Sequence, residues 1–204
     1  MTWVLLAVVV VLLVIIGVLV VRQQQSRRLK DEFGPEYGRV VAERGDQRAA
    51  EKELADRQQR VGKFEIRHLE PGARERYLEQ WAAAQRYFVD QPVGAVGEAD
   101  ELVQQVMHDR GYPVAEDFEQ RAADISVEHP EVVENYRAAH GISVQARTGQ
   151  ASTEQLRQAM VHFRALFDDL LAPGDGGEAD DASADERARD HDGTAVPQHT
   201  TPRG

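Results

Sequence analysis

The sequence predicts an all-α protein: an N-terminal transmembrane helix, a long polar helix, a small helical bundle and a disordered acidic C-terminal tail. Three observations carry this expectation. Trp3 to Val21 is a run of 19 residues without a charge. Apolar residues then recur with the helical period of 3.6 through residues 71–171. Beyond Pro173 large aliphatic side chains almost vanish, Val196 excepted. The expected segments are 1–22 (anchor), 23–70 (basic juxtamembrane stretch, polar spacer helix and connector), 71–171 (bundle) and 172–204 (tail).

The anchor is argued from length and composition. Sixteen of its 19 residues are Val, Leu or Ile; the others are Trp3, Ala7 and Gly17. As a helix the run is roughly 29 Å long, which matches a hydrocarbon core of about 30 Å. Valine is a mediocre helix former in water, but in lipid each peptide group must bond within its own segment. Cleaved signal peptides start with a basic region and end in small residues, whereas this run ends Val18-Leu19-Val20-Val21. An uncleaved anchor is therefore expected. Arg22, Arg27, Arg28 and Lys30 come directly after it and give residues 22–30 a charge of +4. By the positive-inside rule the N-terminus lies outside and the body in the cytoplasm, on the inner face of the cell membrane. The same four cations can sit against anionic lipid headgroups.

The remaining charge is acidic. The 204-residue chain has 24 Lys+Arg against 35 Asp+Glu, a formal charge of −11. That balance argues against sequence-independent nucleic-acid binding, which needs clustered cations. The absence of cysteine excludes disulfides, thiolate catalysis and Cys-type metal centres, and fits a reducing compartment.

In the body, Gly34-Pro35 is a breaker pair, and Pro35 suits the first turn of a new helix. Residues 36–61 then read as one polar helix, supported by Glu53–Arg57 and Asp56–Arg60 at i,i+4 spacing. It is expected to be a spacer or edge helix, with a weak coiled coil as the alternative. Gly62–Glu70 breaks the period and reads as an extended connector whose Phe64, Ile66 and Leu69 dock on the bundle helices. The first two of those helices have these apolar faces: Tyr77, Leu78, Trp81, Ala84 and Phe88; then Val96, Ala99, Leu102, Val103, Val106 and Met107, ending at Gly111-Tyr112-Pro113. A short third helix carries Phe118, Ala122 and Ile125, and Pro130 opens another with Val132, Val133, Tyr136 and His140. Ser152 with Gln155 forms a capping box for the last helix, which carries Leu156, Ala159, Met160, Phe163, Leu166, Phe167 and Leu170.

No phosphate-binding or dinucleotide-binding glycine pattern, nucleophile elbow or H-E-x-x-H pair occurs. No catalytic, cofactor or metal residue is expected. Three constellations have chemical potential. Tyr136 and His140, four apart on an apolar stripe, either line a small polar pocket or form a satisfied core hydrogen bond. Asp168 and Asp169 are either a solvated helix end, with Arg164 relieving Asp168, or a metal-binding pair. Tyr77, Trp81 and Phe88 have the spacing of a core face, with a ligand-binding stripe as the alternative.

The stretches Phe33-Gly34-Pro35-Glu36-Tyr37, Arg39-Val40-Val41, 117–124, 136–140 and 158–167 resemble an uncharacterised family of N-terminally anchored membrane or secreted proteins from high-GC Gram-positive bacteria. The resemblance covers roughly residues 20–171 and implies no reaction, cofactor or site residue. The functional expectation is a membrane-tethered helical interaction module that meets lipid and either a protein partner or a second copy of itself. A ligand-binding or sensory bundle is the alternative, and an enzyme comes last.

Overall fold

The computed structural model describes residues 2–114 and 117–172, and all its helices fall within the unit Met1–Leu171. Among the described residues there are seven helices and no strand: α1 (Thr2–Arg44), α2 (Gln47–Val61), α3 (Ala73–Tyr87), α4 (Pro92–Asp109), α5 (Phe118–Glu128), α6 (Val133–Arg147) and α7 (Thr153–Leu170). The all-α expectation holds. The expected acidic tail lies outside the described residues, Ala172 apart.

α1 is not continuous. Gly34 takes φ 44°, ψ −122°, which divides it into two helical pieces with Pro35 opening the second. A second break comes at Gly45, again left-handed at φ 66°. Asp46 then starts α2 as an N-cap, its carboxylate accepting from the Ala49 amide at 2.8 Å. The expected single helix over 36–61 is therefore corrected: it is two helices with a turn at Gly45-Asp46. The chain also doubles back. Gln47 Nε2 donates to Ser26 Oγ at 3.1 Å. A straight helix would set residue 26 roughly 27 Å from residue 44. Instead of acting as a free spacer, α2 packs on α1 and α5 and buries Ala50, Leu54, Arg57 and Val61.

The apolar run itself lies at the start of α1. Among the described residues no helix is long and apolar enough to cross a membrane. α1 is helical through the run 3–21, but the side chains at 4, 5, 7–11, 14 and 18 lie outside the described residues.

Two cores result. The larger sits where α7 packs against α4 and α6, with α3 on α4 and α5 on α6. Trp81 stacks on Phe167 with ring centroids 4.7 Å apart, and Arg164 lies over both rings. This makes Trp81 a core residue with a cation over its ring. The smaller core, Phe33, Tyr37, Val40, Ala50 and Leu54, joins α1 to α2, and Val127 of α5 packs on it. The connector after α2 places Phe64, Ile66 and Leu69 half-buried against the larger core. α7 begins with the full capping box of Ser152 and Gln155, and its seven stripe residues are all buried.

α4 ends in a tight left-handed turn. The Tyr112 amide donates to the Met107 carbonyl at 2.9 Å, with Gly111 at φ 92°. The connector lies directly on this turn: the Arg67 amide and Nε donate to the carbonyls of Arg110 and Asp109, each at 3.0 Å. A Cβ on Gly111 would fall 2.3 Å from the Glu65 carbonyl oxygen, a backbone atom that cannot swing away. Gly111→Ala is expected to destabilise the chain by about 2 kcal/mol or more, through both the left-handed backbone and the collision. Thermal unfolding of the full chain should show a drop of several degrees; an unchanged midpoint would mean the connector is not held there.

Candidate functional site

Polar side chains converge inside the fold at two places. The first is built around Glu36, which belongs to the turn-rich N-terminal part yet is almost fully buried at 2% exposure. Phe33, just before Gly34, and Tyr37 and Val40, after it, face the small core, and Glu36 is buried next to Tyr37 in the chain. Three arginines from three helices close on it. Arg39 Nε and Nη2 donate at 2.9 Å each, from the same helical segment. Arg57 of α2 donates from Nη1 at 2.7 Å. Arg137 of α6 donates from Nη1 and Nη2 at 2.8 and 3.0 Å. Arg57 also donates to Ser126 Oγ of α5 at 3.3 Å and pairs with Glu53.

Burial alone would raise the Glu36 pKa, because it penalises the charged form. The hydrogen bonds and charges of Arg39 and Arg137 outweigh it and bring the pKa down to about 2. The carboxylate is thus anionic, saturated with donors and unsuited to moving protons. Its chemistry is that of a cross-link. A neighbouring link adds to it: Arg60 of α2 donates to the buried Asp124 of α5 at 2.7 Å.

The second convergence holds Tyr136 and His140 on α6. They do not bond to each other. The Tyr136 hydroxyl is fully buried and accepts from Arg121 Nε of α5 at 3.4 Å. Phe118 of α5 lies flat on the His140 ring, centroids 3.6 Å apart at 6°, and tilts against the Tyr136 ring at 4.9 Å. Asp100 of α4 is buried, and its Oδ1 and the His140 Nδ1 have no hydrogen-bond partner among the described residues. Burial pushes the Tyr136 hydroxyl up and the His140 imidazole down, so both favour their neutral forms; the Asp100 charge raises both.

The remaining expected positions resolve simply. Asp168 accepts from Arg164 at 2.6 Å, as i,i+4 spacing implies, while Asp169 pairs with His129 of the α5 C-cap. The two carboxylates thus have separate partners. Arg22, Arg27, Arg28 and Lys30 lie on the α1 segment before Gly34, and Lys30 sits over the Tyr37 ring at 5.3 Å. Sequence reasoning missed Glu36, Arg137 and Asp100. The available signal was Arg57, a cation on the Ala50–Leu54–Val61 stripe that required a buried anion.

The chain matches no protein-family model, no curated protein and no solved structure.

The site makes stability depend on pH in two ways. Glu36 stays ionised in the fold at pH values where an unfolded glutamate, near 4.5, is already protonated. The folded state then binds fewer protons, so this stabilisation is complete above about pH 4.5 and is lost as pH falls toward 2. Glu36→Gln should cost on the order of 3–5 kcal/mol near neutrality, by removing the buried charge that Arg39, Arg57 and Arg137 share. Denaturant titrations of both proteins from pH 7 downward should show the gap closing in that window. A constant gap would mean that Glu36 is not the titrating group.

His140 acts in a higher window. Its folded pKa lies below the usual 6.5, so the unfolded chain takes up the proton first. The fold is expected to lose stability as pH drops below about 6.5, and His140→Phe, which keeps a ring against Phe118, should flatten that slope. Identical slopes in the two proteins would contradict it.

Proposed function

We propose that the chain is a membrane-tethered helical interaction module with a cytoplasmic body. One observation carries the reading: a helix whose 19-residue run lacks charge and presents Leu12, Leu13, Ile15, Ile16, Leu19, Val20 and Val21 outward, uncovered by the other described residues. The nine positions of the run outside the described side chains are Val, Leu or Ala in sequence. Water is a poor environment for that much contiguous apolar surface, and a bilayer of about 30 Å is a fitting one. The four cations within nine residues of Val21 support a cytoplasmic body.

The bundle supports the second half of the reading. Its polar convergences serve packing: Glu36 is fully occupied by arginines, and Phe118 covers His140. A ligand-binding reading centred on Tyr136 and His140 is the weaker one, since the ring of Phe118 fills the space beside them. What the bundle offers is a rigid acidic surface held near a membrane, suited to docking a protein or a second copy of the chain.

The lack of cysteine makes the test direct. A single Val89→Cys, at an 83% exposed position, supplies the only thiol in the chain. The protein is expected to remain in the membrane fraction after alkaline carbonate, and the thiol to react with an impermeant maleimide only once cells are opened. Release by carbonate would sink the anchor. Labelling in intact cells would put the body on the other side.

A further inference from the structure

The doubling back of α2 has a consequence at the base of the apolar run. The α1 segment before Gly34 and α2 lie side by side, joined by the Gln47–Ser26 hydrogen bond, and an open cleft of about 980 Å³ runs between them. Leu19 lines one end, within the apolar run. Beyond it the walls carry Arg22 and Arg28 from α1 and Arg48 and Lys52 from α2. Among the described residues none of these four cations makes an ion pair or a hydrogen bond. Two of the three acids on the walls are occupied. Asp46 takes the Ala49 amide, and Glu51 takes the Tyr37 hydroxyl at 2.9 Å and Gln47 Nε2 at 2.7 Å. Glu32 is the third.

We propose that this cleft binds the headgroup of an anionic phospholipid. The phosphate lies between Arg22 and Arg28 on one wall and Arg48 and Lys52 on the other, and an acyl chain runs along Leu19. The inference rests on the anchor reading. If residues 3–21 span the bilayer, Ser26 lies roughly 7.5 Å beyond the end of the run, which is headgroup depth. A cleft that is apolar at its membrane end and cationic beyond it suits a lipid better than a free anion. The sequence alone places only Arg22 and Arg28 there; the fold adds Arg48 and Lys52, at i,i+4 on one face of α2.

The full chain, purified in mild detergent, is offered phosphatidylglycerol and phosphatidylcholine in equal amounts, and retained lipid is read by native mass spectrometry. Retention of phosphatidylglycerol about tenfold or more above phosphatidylcholine is expected, the scale set by cations near an anionic surface. Arg48→Gln with Lys52→Gln should abolish the preference at an unchanged melting temperature, and Arg48→Lys with Lys52→Arg should keep it. Equal retention of the two lipids, or a preference that survives the double glutamine variant, overturns the proposal. Displacement of the lipid by millimolar inorganic phosphate overturns the lipid assignment in favour of a free-anion site. A chain that resists carbonate extraction yet shows no preference fails this inference alone, whereas release by carbonate fails the anchor and this inference with it.

Discussion

One buried carboxylate organises the N-terminal half of this protein. Glu36 receives five hydrogen bonds from Arg39, Arg57 and Arg137, and the most distant of these is 101 residues away in sequence. An anion taken out of water costs several kcal/mol, and only well-placed donors offset that cost. The arrangement therefore does little for net stability relative to an apolar substitute. What it does is choose among packings. An apolar patch has no preferred direction, whereas a carboxylate met by guanidinium forks from three helical segments does. Arg60 with Asp124 repeats the same logic one turn away, and the small Phe33–Leu54 core fills the space between.

That fixed arrangement explains the route of the chain. The helix leaving the apolar run is interrupted at Gly34. It bends there, bends again at Gly45, and sends α2 along its own flank. α2 thus stands against the segment that carries the cations following the apolar run, with Arg48 and Lys52 facing Arg22 and Arg28 across the cleft. A straight spacer helix would have carried α2 away from the apolar run. The folded-back pair instead sets Arg48 and Lys52 beside the base of the apolar run.

Much of the bundle was legible because its signals are local. The α7 stripe, its Ser152–Gln155 capping box and the Gly111-Tyr112-Pro113 stop are each written within a few residues, and each appears as read. The Tyr136–His140 pair was legible as a position on a stripe. Its surroundings were not, because Phe118, Arg121 and Asp100 come from other helices. The failure over 36–61 is instructive. Good helix formers and i,i+4 ion pairs flank Gly45-Asp46 on both sides, and they masked a glycine suited to a helix end next to an aspartate suited to an N-cap. The Glu36 cluster was invisible for a different reason: a pairing of residues 36 and 137 depends on the tertiary fold, and charge spacing along the chain does not encode it.

The central claim is that long-range arginine donors lock the N-terminal helices to the bundle. Hydrogen exchange read by mass spectrometry on the full chain and on Arg137→Met tests it most directly. In the parent, amides of α2 and of residues 35–44 should be protected. In the variant they should exchange about tenfold faster or more, while α7 keeps its protection, because local opening then falls below global unfolding. Unchanged protection in α2, or an equal loss in α2 and α7, would contradict the account.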